Sequence, residues 1–157
     1  MRVYLGSDHA GFELKAQLVE HLSGLDHDVV DCGAHEYEPD DDYAAPCITA
    51  AARMMADPGS LAVVIGGSGN GEQIAANKVR GVRAALVWND DTARLARQHN
   101  DANVISLGAR SHPVADALRF VEIFLATPFS EEERHKRRIA QVAEYEETGA
   151  IAGHTTT

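Results

Sequence analysis

The chain predicts a doubly wound α/β fold built on five parallel strands, and three observations lead there. Short apolar, β-branched runs recur along it and end in glycine, as in Val3-Tyr4-Leu5-Gly6, Leu61–Gly66 and Val104–Gly108. Stretches with helical spacing separate these runs. The alternation of strand and helix repeats five times, and right-handed crossovers between parallel strands then cover both faces of one sheet. The 157 residues, 45% of them hydrophobic, are expected to form a single domain over residues 1–157, because they can bury a core and neither a repeat nor a linker divides them.

The elements follow in order. After the strand ending at Gly6, Leu14, Leu18 and Leu22 mark one face of a first helix, and Val29 and Val30 before Asp31 supply a second strand. Residues 44–56 read as the next helix. Pro46 is tolerated there because its missing N–H falls in the first turn, where no intrahelical partner exists, and Asp57-Pro58-Gly59 stops it. Beyond the third strand, Leu61–Gly66, a glycine-rich loop leads into Ile74-Ala75-Ala76, a helix start. Residues 82–87 (VRAALV) predict the fourth strand. Asp90, Asp91 and Thr92 offer a cap and favourable dipole charge to a helix reaching His99. After the fifth strand, Ser111 and Pro113 start a helix through Leu118, Val121 and Leu125. The last helix begins at Ser130, with Ser130 and Glu133 as a capping box. Residues 148–157 have little to bury and are expected to fray.

Charge and cysteine content narrow the function. Fourteen Lys and Arg against 24 Asp and Glu give a net charge of −10, which repels a phosphate backbone and excludes a dedicated nucleic-acid binder. The longest apolar run, residues 61–65, is far short of the about 20 residues that cross a bilayer, so no membrane role is expected. Cys32 and Cys47 lack Cys-x-x-Cys spacing, and Asp8 interrupts the N-terminus before a signal-like apolar stretch develops; a reducing cytoplasm is the expectation. The eight histidines show no metal-binding spacing, and His35-Glu36-Tyr37-Glu38 lacks the second histidine of H-E-x-x-H, so no metal is expected; the chain is expected to work without a cofactor.

Open parallel sheets bind ligands beyond the carboxyl ends of their strands, which points to loops 7–11, 66–72 and 108–112. The densest signal is Gly66-Gly67-Ser68-Gly69-Asn70-Gly71-Glu72. It fails the dinucleotide pattern, because Glu72 and Ile74 stand where a glycine is needed, and it fails the P-loop pattern, because Glu72-Gln73 replaces Lys-Ser/Thr. What remains is a cradle of backbone N–H donors beside a carboxylate, a set suited to proton abstraction next to a carbonyl. The alternative reading is that Glu72 only complements a helix dipole.

On the last helix, Glu131, Glu132 and Glu133 precede His135, Lys136 and Arg137 by four residues each, a solvated charged face. Arg134 and Arg138 lack such partners and share one side, so they either bind a phosphate or are simply exposed. His9 and His99 stand out from the other histidines because they fall at a predicted strand end and helix end.

Taken together, Gly6-Ser7-Asp8-His9-Ala10-Gly11-Phe12, the stretch GGSGNGEQIAANKVRGVRAALVWN from Gly66 to Asn89, His99-Asn100 and Leu107-Gly108-Ala109-Arg110 resemble the type B ribose-5-phosphate isomerases, which group with the galactose-6-phosphate isomerase subunits. The resemblance runs from Met1 to about Glu144. It implies a Rossmann-like fold, no metal, and a homodimer or tetramer with shared active sites; the last helix, with few apolar positions beyond Ile139 and Val142, is expected to reach a partner subunit. It also implies an aldose–ketose isomerase of the non-oxidative pentose phosphate pathway, with a phosphorylated pentose as substrate; a six-carbon aldose phosphate, or a non-catalytic sensor of phospho-sugars, is the alternative. By this resemblance Glu72 shuttles the proton and His99 opens the sugar ring. Asp8 handles ring and hydroxyl oxygens, while Ser68, Asn100 and the amides of Gly67, Gly69 and Gly71 hold the enediolate, with Asn70 in the same substrate-binding loop. His9, Arg110, Arg134 and Arg138 surround the phosphate. Many relatives place a cysteine base at the position of Gly66; here base duty falls to Glu72, as in the branch that carries this glutamate.

Overall fold

In the computed structural model, residues 1–153 are described. Five parallel strands, β1 (Arg2–Ser7), β2 (Asp28–Asp31), β3 (Leu61–Gly66), β4 (Ala84–Leu86) and β5 (Val104–Gly108), form one sheet in the order β2-β1-β3-β5-β4. Six helices join and flank them: α1 (Phe12–Gly24), α2 (Ala44–Met55), α3 (Asn70–Ala76), α4 (Asp90–Asn100), α5 (Val114–Ala126) and α6 (Glu133–Thr148).

Alternation along each strand sorts its side chains between two cores. Val3, Leu5, Val63, Ile65, Ile105 and Leu107 pack on one face against Leu14, Leu18 and Leu22 of α1, Ala93 and Ala96 of α4, and Phe120 and Phe124 of α5. Tyr4, Ala62, Val64 and Val104 face the other way, onto Cys47, Ala50, Ala51 and Met54 of α2 and Ala75 and Ala76 of α3. This is the doubly wound architecture that the sequence predicts.

α3 starts at Asn70, ahead of the expected Ile74, and three further boundaries differ from expectation, each for a local reason. The fourth strand is three residues rather than six, because β4 is an edge whose outward groups go to side chains: Ala84 donates its N–H to Asn77 Oδ1 (2.9 Å), and the Ala84 carbonyl accepts from Asn77 Nδ2 (2.9 Å) and Gln73 Nε2 (3.0 Å). α4 is capped by Asn89, whose side chain accepts from the Thr92 N–H (2.8 Å) while the Thr92 hydroxyl accepts from the Asn89 N–H (3.2 Å). α6 starts at Glu133 and not at Ser130. The Ser130 hydroxyl faces His135 Nδ1 (2.9 Å) instead, so the expected Ser130–Glu133 capping box does not form. At the far end α6 runs to Thr148; of the residues 148–157 expected to fray, 154–157 lie outside the described residues.

Phe124 is fully buried at the centre of the α5 packing. Its replacement by Ala removes a ring and leaves a void, and denaturant unfolding of F124A should show a loss of about 3–5 kcal/mol with native-like circular dichroism below the transition.

Candidate active site

The winding of the sheet reverses between β1 and β3: the chain leaves β1 toward β2 and returns across β1 to β3. The loops after these two strands therefore splay apart at their carboxyl ends and open a crevice. Asp8 caps a single 3₁₀ turn, His9–Gly11, by accepting from the Gly11 N–H (3.1 Å). The loop after β5 closes the other side, with Ala109 N–H on the Gly66 carbonyl (2.8 Å) and Arg110 N–H on the Gly67 carbonyl (3.1 Å). Below, the buried Ser106 hydroxyl donates to the Gly69 carbonyl (2.6 Å) and fixes the loop's depth. Gly69 itself sits at φ +83°, where a Cβ would also come within 2.7 Å of Leu86. Asp8, His9, Gly67, Ser68, Gly69, Asn70, Gly71, Glu72 and Arg110 thus meet in one place; the Arg110 guanidinium lies 3.4 Å from where a Cβ on Gly67 would stand.

Glu72 is only 4% exposed, and its Oε2 has no hydrogen-bond partner among the described residues. A Cβ built on Gly66 would lie 1.8 Å from Glu72 Oε1. The carboxylate therefore occupies the volume that a side chain at position 66 would need. Burial pushes its pKa above the ordinary carboxyl range, the Asp8 charge adds to this, and the backbone N–H groups of Glu72 and Gly69 work against it. A carboxylate moved toward neutrality is a better matched base at physiological pH. The nearby Cys47 thiol is fully buried and is pushed far up by burial and by the Glu72 and Asp8 charges, which removes it as a nucleophile or base.

Two residues that the sequence reading passed over complete this half. Asp41 Oδ1 accepts from the His9 backbone N–H (2.8 Å) and lies 2.8 Å from His9 Nδ1. The Tyr43 ring packs on the loop, 2.7 Å from where a Cβ on Gly71 would stand. The only signal in the chain was position: Asp40, Asp41 and Asp42 precede a helix whose N-terminus points toward the crevice. Asp8, His9 and Asp41 could each offer one atom within 4.8 Å to a cation, but His9 Nδ1 and Asp41 are already engaged with one another.

The remaining predicted residues gather elsewhere. α4 begins beside the carboxyl end of β4 and runs back for about 15 Å, so His99 and Asn100 lie at the end where β5 starts, opposite the Glu72 crevice. There His99 stacks on His135, ring centroids 4.2 Å apart. His135 is 2% exposed, and burial together with His99 and Arg134 lowers its pKa. Arg138 lines a cavity with Asn100, Trp88, Ile139 and Val142, between α6 and the β4 edge. Within one chain, then, Glu72 and His99 stand at opposite ends of the sheet.

Residues 3–142 match the model of the family described as Ribose/Galactose Isomerase. The chain belongs to this family. Its relatives include ribose-5-phosphate isomerase B of Mycobacterium leprae, 62% identical over 94% of this chain and 91% of that one. Among solved structures, ribose-5-phosphate isomerase B of Mycoplasma genitalium with bound ribulose-5-phosphate superposes with a TM-score of 0.89 at 38% identity, covering 94% and 97% of the two chains. The Clostridium thermocellum ribose-5-phosphate isomerase B gives 0.91 at 36% identity, covering 96% and 100%.

The charge pattern on α6 departs from the expected four-residue pairing. Arg134 is not without an acid partner, because the chain enters the helix at Glu132 and brings that carboxylate to the guanidinium (2.7 Å). Lys136 pairs with Glu131 (2.9 Å) and Glu133 (3.6 Å) for the same reason.

Two outcomes test the geometry around Glu72. A carboxyl whose folded pKa is raised from its ordinary value near 4.5 stabilises the fold fully only below that value, and the stability is lost as pH rises through the folded pKa. Glu72→Gln should therefore melt at a higher temperature than the parent at pH 7, with the difference closing below about pH 4.5. Gly66→Ala should displace the carboxylate and cut kcat at least tenfold while the protein remains folded by circular dichroism.

Proposed function

We propose that this chain interconverts D-ribose 5-phosphate and D-ribulose 5-phosphate through a cis-enediolate, as one isomerase domain of the non-oxidative pentose phosphate pathway. The observation that carries the reading is the buried Glu72 with an unpartnered oxygen beside a glycine-rich loop. The family membership supports it, as do the names of the relatives and the ribulose 5-phosphate bound by the Mycoplasma genitalium enzyme.

In this reading, Glu72 takes the proton from C2 of the open-chain aldose and returns it to C1, while the amides of Gly67, Gly69 and Gly71 with Ser68 and Asn70 hold the negative charge that develops on the oxygens. Asp8 meets the sugar hydroxyls. His9 and Arg110 bind the phosphate from the same chain. His99 gives its proton to the ring oxygen as the furanose opens, Asn100 steadies the enediolate, and Arg134 and Arg138 close on the phosphate, all from a second copy of the chain. The incomplete half-site in each chain supports this homo-oligomer. So do the exposed apolar side chains of Ile74, Trp88, Val142 and Tyr145, which a partner would cover. No helix among the described residues is long and apolar enough to cross a membrane; the two cysteines, both free thiols, support a reducing cytoplasm as the location.

A coupled assay of ribose 5-phosphate against allose 6-phosphate tests the substrate; faster turnover of the six-carbon sugar would overturn the assignment. Glu72→Gln should abolish turnover without weakening inhibition by inorganic phosphate. His99→Asn should slow ribose 5-phosphate far more than 4-deoxyribose 5-phosphate, which has no C4 hydroxyl and cannot close a furanose. Equal losses on the two sugars would show that His99 takes no part in ring opening.

A further inference from the structure

We propose that Asp41 is a positioning residue for substrate phosphate, acting through His9. The inference rests on the assignment of His9 to the phosphate set. One carboxylate oxygen, Asp41 Oδ1, meets the backbone N–H of His9 and its ring Nδ1, each at 2.8 Å. Two contacts from a single oxygen to the main chain and side chain of one residue leave the imidazole little rotational freedom. A carboxylate can only accept, so the proton on this side of the ring is on Nδ1. Nε2 is then the one ring atom left to meet a ligand. The neighbouring residue, Ala10, lies against Gly67, where the Arg110 guanidinium also stands, so a ring held this way borders the anion-binding loop.

The contact is shielded enough to matter. The His9 and Asp41 side chains are 26% and 19% exposed, unlike the pairs on α6, where every partner is more than 40% exposed. Asp41 arrives on the connection between β2 and α2, and that connection is fastened on both sides of it. Upstream, the buried Lys15 ammonium bonds the Asp31 carboxylate and the Ala34 carbonyl (2.8 Å). Downstream, the Tyr43 ring packs on Gly71. The loop therefore delivers a carboxylate from outside the catalytic loops to aim a histidine within them.

The test is a double-mutant cycle on the full-length enzyme, reading kcat, KM for ribose 5-phosphate, the inhibition constant of inorganic phosphate and thermal stability. His9→Ala and Asp41→Ala should each raise KM and the phosphate inhibition constant together, Asp41→Ala by about tenfold, with kcat changed much less. Asp41→Asn, which keeps an acceptor oxygen, should recover most of that loss. In the His9→Ala background, Asp41→Ala should add less than twofold. An undiminished effect of Asp41→Ala in that background, or a fall in melting temperature with KM unmoved, would overturn the positioning role while leaving His9 in the phosphate set. If His9→Ala leaves phosphate inhibition unchanged, the assignment of His9 fails, and the role of Asp41 fails with it.

Discussion

Placing a carboxylate in a space where no Cβ can stand is the constraint on which this active site depends. Glu72 has that space only because position 66 is glycine, and the two residues are therefore one choice rather than two. A side chain at 66 would push the Glu72 carboxylate out of the place it holds. The burial that results makes the carboxyl a better matched base and at the same time a destabilising group at neutral pH, an instance of a functional site held at a cost in stability. The surrounding sheet explains how the fold tolerates it: Ser106 ties the loop down from β5, and the strands on either side are fully buried.

Much of this was legible in the sequence because it followed from periodicity and from glycine. The glycine-terminated runs gave the strands, and parallel winding then placed the loops after β1, β3 and β5 together. Glu72 could be singled out because it broke two familiar phosphate-loop patterns at an informative position. Long-range pairings were not legible. Nothing local says that Asp41 reaches His9, 32 residues away, or that Asn77 satisfies the β4 edge and shortens the strand. The α6 ion pairs were misjudged because helical spacing was applied to Glu131 and Glu132, which lie before the helix begins; Glu131 has φ +59° and Glu132 is extended.

Topology divides the labour. The crossover helix α4 carries His99 and Asn100 from the catalytic end of the sheet to the opposite end, where α6 packs His135 against His99 and holds Arg134 and Arg138 nearby. In the proposed reaction a sugar phosphate needs both a base and a ring-opening acid, and one chain so arranged does not bring Glu72 and His99 together. The proposed homo-oligomer resolves this if two copies related by a two-fold axis set Glu72 of one against His99 of the other, which would generate two equivalent sites.

Mixing two inactive variants tests this most directly. Glu72→Gln subunits and His99→Asn subunits, combined under conditions that allow exchange, should regain activity with ribose 5-phosphate. Half the dimers of an equal random mixture are mixed, and each holds one intact site, so about a quarter of the parental activity should return. Proven subunit exchange with activity no greater than the sum of the two variants would contradict the account, because it would mean that each chain builds its site alone.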